Sequence, residues 1–285
     1  MNPSSIVNLD FTSPVYLDVD EKYSEFVRLS STLHQYDLAR PLVTIVIPAY
    51  NDAKRLPVTL RKIQQFFNRY PVPIEVLCIV EKSRDDTLSL SRSAVEGDPR
   101  FQVIDNLLQR GKGYAVRSGM LRARGEIVFF TDADLSTPIY EVVNFLEYLA
   151  KNPHIDIVIG NRNGKYGRLT RKQRLLRQAM GVAFVKLVNL ISGMNVEDSQ
   201  AGFKAFRSSA SKSIFSKASI DGFSFDVEVL LLANKLRYGV HSLPIDWIND
   251  TLTTVNPLTD AIQMLKDIFV AKKRVDEHFY GQKDI

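Results

Sequence analysis

A chain of 285 residues with 45% hydrophobic and 24% charged residues has ordinary globular composition, with length for one large domain or two small ones. Its net charge of +5 and pI near 9.1 suit an anionic partner, such as a nucleotide diphosphate, a phospholipid surface or a nucleic acid, without choosing among them. The longest apolar stretch, 181–194, is broken by Lys186 and Asn189, and no segment approaches the roughly 18 residues that span a bilayer.

The first residues lack the basic and apolar regions of a signal peptide, and the single cysteine, Cys78, sits in the apolar run 76–80 as a reduced core residue, so a cytoplasmic protein is expected. Residues 1–40 form an N-terminal extension in which Tyr23, Phe26, Leu29 and Leu33 fall near helical spacing; it would serve as a lid, a homodimer contact or decoration. A buried strand is predicted over 42–47, ending at Pro48-Ala-Tyr-Asn51, with Asp52 capping a helix whose apolar face is Leu56, Leu60, Ile63 and Phe67. Strand 74–80 follows, then the polar turn Glu81-Lys-Ser-Arg-Asp-Asp-Thr87, a helix ending near Gly97, and a strand over 101–104. Gly111-Lys-Gly opens a helix through Ala123, strand 127–131 leads into Asp132 and Asp134, and a helix over 139–151 precedes strand 156–160. Strands alternating with helices at this spacing predict right-handed βαβ units and a mostly parallel, Rossmann-like sheet flanked by helices, an α/β domain over 41–250. Later come an apolar helix through about Ile191, a helix starting within Gly222-Phe-Ser-Phe-Asp-Val-Glu228 and a strand over 240–245. Residues 251–285 read as a C-terminal amphipathic helix with Ile262, Leu265, Ile268 and Phe269 on its apolar face.

The chemistry centres on Asp132 and Asp134. In extended chain, residues two apart point the same way, and two carboxylates about 5 Å apart repel by roughly 3 kcal/mol at an effective dielectric near 20. A hard divalent cation such as Mg²⁺ or Mn²⁺ reverses that cost; the plainer alternative is an acidic turn in which Asp134 caps the helix begun by Pro138. Open α/β sheets put ligands at the carboxyl ends of their strands, which favours the cation. Gly111-Lys-Gly lacks the third glycine of a dinucleotide fingerprint and does not follow the first strand, so NAD binding is not expected. Residues 161–178 carry seven cations and no acid: Arg162, Lys165, Arg168, Arg171, Lys172, Arg174 and Arg177. This segment is either a solvated helix face or a site for an anion.

Five motifs fall at successive strand ends in one order: Ile47-Pro-Ala-Tyr-Asn51, Ser83-Arg-Asp-Asp-Thr87, Gly111-Lys-Gly, Thr131-Asp-Ala-Asp-Leu-Ser-Thr-Pro138 and Gly160-Asn-Arg162. Together they resemble the inverting family-2 glycosyltransferases of the GT-A fold. Gly111-Lys-Gly-Tyr-Ala-Val-Arg-Ser-Gly-Met120, Ala123-Arg-Gly-Glu126, Asp198-Ser-Gln-Ala-Gly-Phe-Lys204 and Phe223-Ser-Phe-Asp-Val-Glu-Val229 look most like the dolichyl-phosphate β-glucosyltransferases. The resemblance implies transfer of a sugar, with glucose favoured, from UDP-glucose to a polyprenyl or dolichyl phosphate at the cytoplasmic face of a membrane. By the same resemblance Pro48, Ala49, Tyr50, Asn51, Glu81, Gly111, Lys112 and Asp132 contact the donor, and Asp134 is the metal ligand, with Asp132 at the metal or the sugar. The resemblance implies that Asp134, Arg162 and Asp226 are the catalytic residues, with Arg162 handling a phosphate; Lys165, Arg168 and Arg171 hold the lipid phosphate, and Asp198, Gln200, Lys204 and Glu228 line the acceptor side. The chain departs from the family at Val80-Glu81-Lys82, where two aspartates are usual, which leaves the donor base open. The same fold acting on a soluble hydroxyl acceptor would use Asp226 or Glu228 as base. A nucleic-acid-binding protein would interleave aromatic residues with the cations; only Tyr166 stands there, so no nucleic-acid partner is expected.

Overall fold

The computed structural model describes residues 9–13, 15–32, 40–162, 185–191, 193, 196–248, 266 and 269–277. Its centre is a seven-stranded sheet in the order β3-β2-β1-β4-β6-β5-β7. The strands are β1 (Val43–Ala49), β2 (Ile74–Val80), β3 (Phe101–Asp105), β4 (Ile127–Thr131), β5 (Ile157–Asn161), β6 (Phe203–Arg207) and β7 (Val240–Pro244). All run in one direction except β6, which pairs antiparallel with both β4 and β5. Among the described residues the helices that flank the sheet are α1 (Val15–Thr32), α2 (Leu56–Arg69), α3 (Thr87–Ala94), α4 (Lys112–Arg122), α5 (Glu141–Lys151), α6 (Ser208–Phe215) and α7 (Phe225–Lys235), and residues 185–191, within the predicted apolar helix, are helical too.

The continuous apolar runs of β1, β2 and β4 have a simple cause: every residue in them is buried, because helices cover both faces of the sheet. Val43, Ile45, Ile47 and Phe129 face one core with residues of α1, α2 and α5. Val46, Leu77, Val128 and Phe130 face the other with residues of α4, α6 and α7. Of the predicted apolar positions in α1, Phe26 lies in the first core and Tyr23 packs against it, Leu29 is half-buried and Leu33 lies outside the described residues; Tyr16 and Val19 add to the same core. Gly119 of α4 packs directly on Val46, which brings that helix close to the sheet.

Several expectations are corrected. β1 runs two residues past the predicted end, so Pro48 and Ala49 are strand residues and the turn begins at Tyr50. Pro48 fits there because the ladder from β1 to β4 stops at Val46↔Phe130; beyond it β1 is paired only with β2. Asp52 is not the helix cap: α2 starts after Arg55 with no side-chain cap, and the Asp52 carboxylate instead accepts from the Arg55 guanidinium. Asp134 does not cap the following helix either, since its Oδ1 accepts from the Ser136 N–H at 2.9 Å in a local turn. β6 and α6 had no counterpart in the predicted elements. Near the C-terminus, residues 269–277 are helical, but Phe269 is 61% exposed and the buried face carries Ala271 and Val275; Ile262, Leu265 and Ile268 lie outside the described residues. Among the described residues no helix is long and apolar enough to cross a membrane.

The segment after β7 folds back over the loop that follows Asp134. Ile248 N–H donates to Ser136 O at 2.8 Å, Tyr140 Oη to Asp246 Oδ2 at 2.7 Å and Asp246 N–H to Glu141 Oε1 at 2.8 Å. Glu141 is 3% exposed, and burial raises its pKa to about 7. The Asn144 side-chain N–H donates to its Oε2 at 2.5 Å. A folded pKa raised above the unfolded value means that the native state holds its proton longer, so stability falls as pH rises from about 4.5 to about 7 and is level above. The expected loss is on the order of 3 kcal/mol. Urea unfolding of Glu141→Gln across this range should lack that slope.

Candidate functional site

The carboxyl edge of the sheet gathers most of the described site residues. Asp132 and Asp134 leave the end of β4, with the loop held by Thr59 Oγ1, which donates to Ala133 O at 2.6 Å, and by Leu135 in a left-handed conformation at φ 49°. Gly202, just before β6, packs its Cα against the Asp132 carboxylate in a space that admits no Cβ, and its carbonyl accepts the Asp132 N–H at 3.2 Å.

Three cations converge on this acidic end from different elements. Lys112, the first residue of α4, reaches Asp132 Oδ1 at 2.6 Å. Burial works against its charge, but Asp132, Asp226 and Asp134 together outweigh burial and raise its pKa. Arg162, just past β5, makes a two-pronged contact with Asp198 at 2.7 and 2.9 Å, and its guanidinium lies 5.5 Å from the Trp247 ring centroid. Burial favours a protonated Asp198, yet the Arg162 guanidinium beside it holds the carboxyl below the usual range. Lys204 stands in β6 opposite Phe130, fully buried, with Nζ 2.5 Å from Asp226 Oδ1, 2.7 Å from Ala201 O and 5.1 Å from the Phe130 ring centroid. Burial pushes Lys204 down and Asp226 up, so the low-dielectric surroundings drive both partners toward neutrality.

Asp134 differs from its neighbours. Burial, reinforced by the adjacent Asp132 charge, raises its pKa. Carboxylate oxygens are the ligand type that a hard divalent cation takes, and the chemistry of Asp132 and Asp134 fits one. Among the described residues no group of three or more His, Cys, Asp or Glu gathers for a metal, so the remaining coordination would come from a ligand's oxygens and water.

On the other side of Lys112, Glu81 follows β2 with only 3% exposure and accepts the Arg110 and Gly111 N–H groups. Asn51, at φ 53°, accepts the Arg84 N–H on Oδ1 at 2.8 Å and donates its own N–H to Ser83 Oγ at 3.1 Å, which joins the turns after β1 and β2. Pro48 and Ala49 are buried within β1, and Tyr50 is partly exposed beside them. Gln200 donates its N–H to Asp198 Oδ1 at 3.3 Å. Glu228 leaves α7 on the opposite side from Asp226: it accepts Ser219 N–H, Ser219 Oγ–H and Ile220 N–H at 2.8–2.9 Å, and lies with the 219–221 turn rather than with Lys204. Lys165, Arg168 and Arg171 lie outside the described residues.

Residue patterns missed three contributors. Trp247 backs Arg162, Gly202 clears space for Asp132, and Asp221 pairs with Arg110 and Arg117 beside the Gly111 loop. A lone tryptophan after a strand and a glycine before one were the only signals, and neither names a partner.

An open α/β sheet with an Asp-x-Asp turn at the end of a central strand, ringed by cations, has the layout of a GT-A glycosyltransferase. Two solved structures share this fold. Mannosyl-3-phosphoglycerate synthase from Rubrobacter xylanophilus superposes with a TM-score of 0.63 at 17% identity, covering 91% of this chain and 80% of the other. Glucosyl-3-phosphoglycerate synthase from Mycobacterium tuberculosis, solved with Mn²⁺, uridine diphosphate and phosphoglyceric acid, gives 0.60 at 15% identity over 88% and 82%. The model of glycosyl transferase family 2 matches residues 44–215, more than half of the chain: the chain belongs to that family and is a glycosyltransferase. Curated relatives include the dolichyl-phosphate β-glucosyltransferase of Dictyostelium discoideum, 30% identical over 266 residues, 89% of this chain and 80% of the relative. That of Saccharomyces cerevisiae is 27% identical over 274 residues, 90% and 82%.

The Arg162–Asp198 pair carries a stability prediction. Asp198→Ala leaves a largely buried guanidinium without its carboxylate and should cost roughly 3 kcal/mol in urea unfolding at neutral pH. Because the folded pKa of Asp198 is lowered, this contribution is present above the ordinary aspartate pKa and is lost as pH falls through the folded value, so the difference between wild type and variant should shrink in acid.

Proposed function

We propose that the protein transfers glucose, with inversion at C1, from UDP-glucose to the phosphate of a polyprenol of the dolichyl type, in a reaction that depends on Mg²⁺ or Mn²⁺. The observation that carries this reading is the Asp132–Asp134 pair at the end of β4, with Lys112 on Asp132 and Asp134 held in buried surroundings. The dolichyl-phosphate β-glucosyltransferase activity of the relatives from Dictyostelium discoideum and Saccharomyces cerevisiae supports the acceptor, and the Mn²⁺ and uridine diphosphate bound in the M. tuberculosis structure support the donor and the metal.

Asp134, with Asp132, would hold the metal against the donor diphosphate. When bound, the metal supplies Lewis acidity that neutralises charge on the departing UDP. The Tyr50–Asn51 turn would seat the nucleoside, and Lys112 would exchange part of its contact with Asp132 for the donor's phosphates or ribose. Arg162, oriented by Asp198 and Trp247, would present its remaining N–H groups to the acceptor phosphate. Lys165, Arg168 and Arg171 would meet the lipid headgroup at the membrane surface, where each cation near anionic lipid contributes about 1 kcal/mol. A phosphomonoester with a second pKa near about 6 is already ionised at neutral pH and needs no strong base. Asp226, locked to Lys204, is therefore asked only to balance charge beneath the reacting atoms. Rate would come from positioning and charge neutralisation. Residues 41–250 would carry both substrates, with 1–40 and 251–285 as accessory segments at the cytoplasmic membrane face.

The test is transfer from a panel of UDP- and GDP-sugars to a short polyprenyl phosphate in detergent. UDP-glucose should be consumed only with lipid phosphate and metal, EDTA should abolish turnover and Mn²⁺ or Mg²⁺ restore it. Asp134→Ala should lower the rate by at least about a thousandfold while the melting temperature holds. Metal-dependent donor binding without lipid-stimulated turnover would redirect the acceptor to a soluble hydroxyl; no binding of any nucleotide sugar would overturn the reading.

A further inference from the structure

Glu81 occupies the place where the family pattern leads one to expect a reader of the donor base, but its surroundings give it other work. Its Oε1 accepts the Arg110 N–H at 3.1 Å and the Gly111 N–H at 3.0 Å, and its Oε2 accepts the same Gly111 N–H at 3.0 Å. A carboxylate has about four lone-pair sites, and these contacts take up most of them. The side chain is 3% exposed and its own N–H is fixed to Ala49 O at 2.9 Å, so it has little freedom to turn toward a ligand.

The loop it grips is tightly confined. Gly111 adopts φ 124°, and a Cβ there would stand 2.6 Å from Asp221 O. Arg110 donates to Asp221 Oδ2 at 2.5 and 2.9 Å, Tyr114 N–H to Asp221 O at 3.2 Å and Lys82 N–H to Leu108 O at 3.3 Å. The next residue is Lys112, first in α4, whose ammonium meets Asp132 at 2.6 Å. A carboxylate on the N–H groups at the start of a helix also suits the helix dipole.

We propose that Glu81 is a positioning residue: it anchors the Arg110–Gly111 backbone, and so delivers Lys112 to the Asp132 end of the donor site, without selecting the donor base. Its effect on turnover rests on the donor reading above, whereas its effect on the loop does not. Glutamate rather than aspartate follows from reach, since one methylene fewer shortens the side chain by about 1.5 Å and opens both contacts.

Two measurements on full-length Glu81→Gln decide it, with Glu81→Asp as a second variant should the first fold poorly. Amide hydrogen exchange without substrate should be at least about tenfold faster at residues 110–112, with the remainder of the sheet unchanged. Turnover should fall about tenfold for UDP-glucose, the ratio of UDP to CDP affinity should stay as in wild type, and the loss should not add to that of Lys112→Ala. Unchanged exchange at 110–112, or a collapse of the UDP to CDP ratio, overturns the proposal. If wild type binds no nucleotide at all, the donor reading falls, and the exchange data still judge the anchor by themselves.

Discussion

Negative charge at the end of β4 is the constraint around which the rest is arranged. A strand buried on both faces delivers Asp132 and Asp134 to a partly enclosed edge of the sheet, where water screens them poorly. Repulsion between them is met by cations held at short range, and burial, with the Asp132 charge beside it, raises the pKa of Asp134.

The cations arrive from three separate elements, and the topology explains why. Lys112 comes from the start of a helix that follows a parallel strand, the usual position for an anion-facing group in an α/β fold. Arg162 comes from the end of β5, which runs in the same direction as β4. Lys204 could not reach this edge from a parallel strand's beginning; it does so because β6 runs the other way, which sets its first residues, Phe203 and Lys204, opposite Thr131 and Phe130. Burying that lysine is tolerable only because Asp226, Ala201 O and the Phe130 ring receive it.

The opposite wall is built from the segment after β7. Trp247 lies under Arg162, and its neighbours are tied to the Asp134 loop through Ser136, Tyr140 and Glu141. A movement of this segment would therefore be felt at both the arginine and the carboxylate pair.

The succession of strands and helices through β5 was legible in the sequence, because central parallel strands appear as unbroken apolar runs and their helices as periodic ones. So was the short Asp-x-Asp signal, since neighbours two apart in an extended chain must share a side. The β6 strand was hidden by its buried lysine, which breaks the apolar pattern that announces a strand. Pro48 likewise suggested a turn, although it stands in a strand whose ladder to β4 has already ended. The sequence by itself determined the layered α/β architecture and the residue types gathered at the strand ends, because both follow from local periodicity and spacing. Only the tertiary structure decided which carboxylate meets which cation: Lys112 with Asp132, Arg162 with Asp198, Lys204 with Asp226 and Glu81 with a backbone loop. Those choices depend on strand order and direction across separations of 20 or more residues, and local pattern carries no information about them.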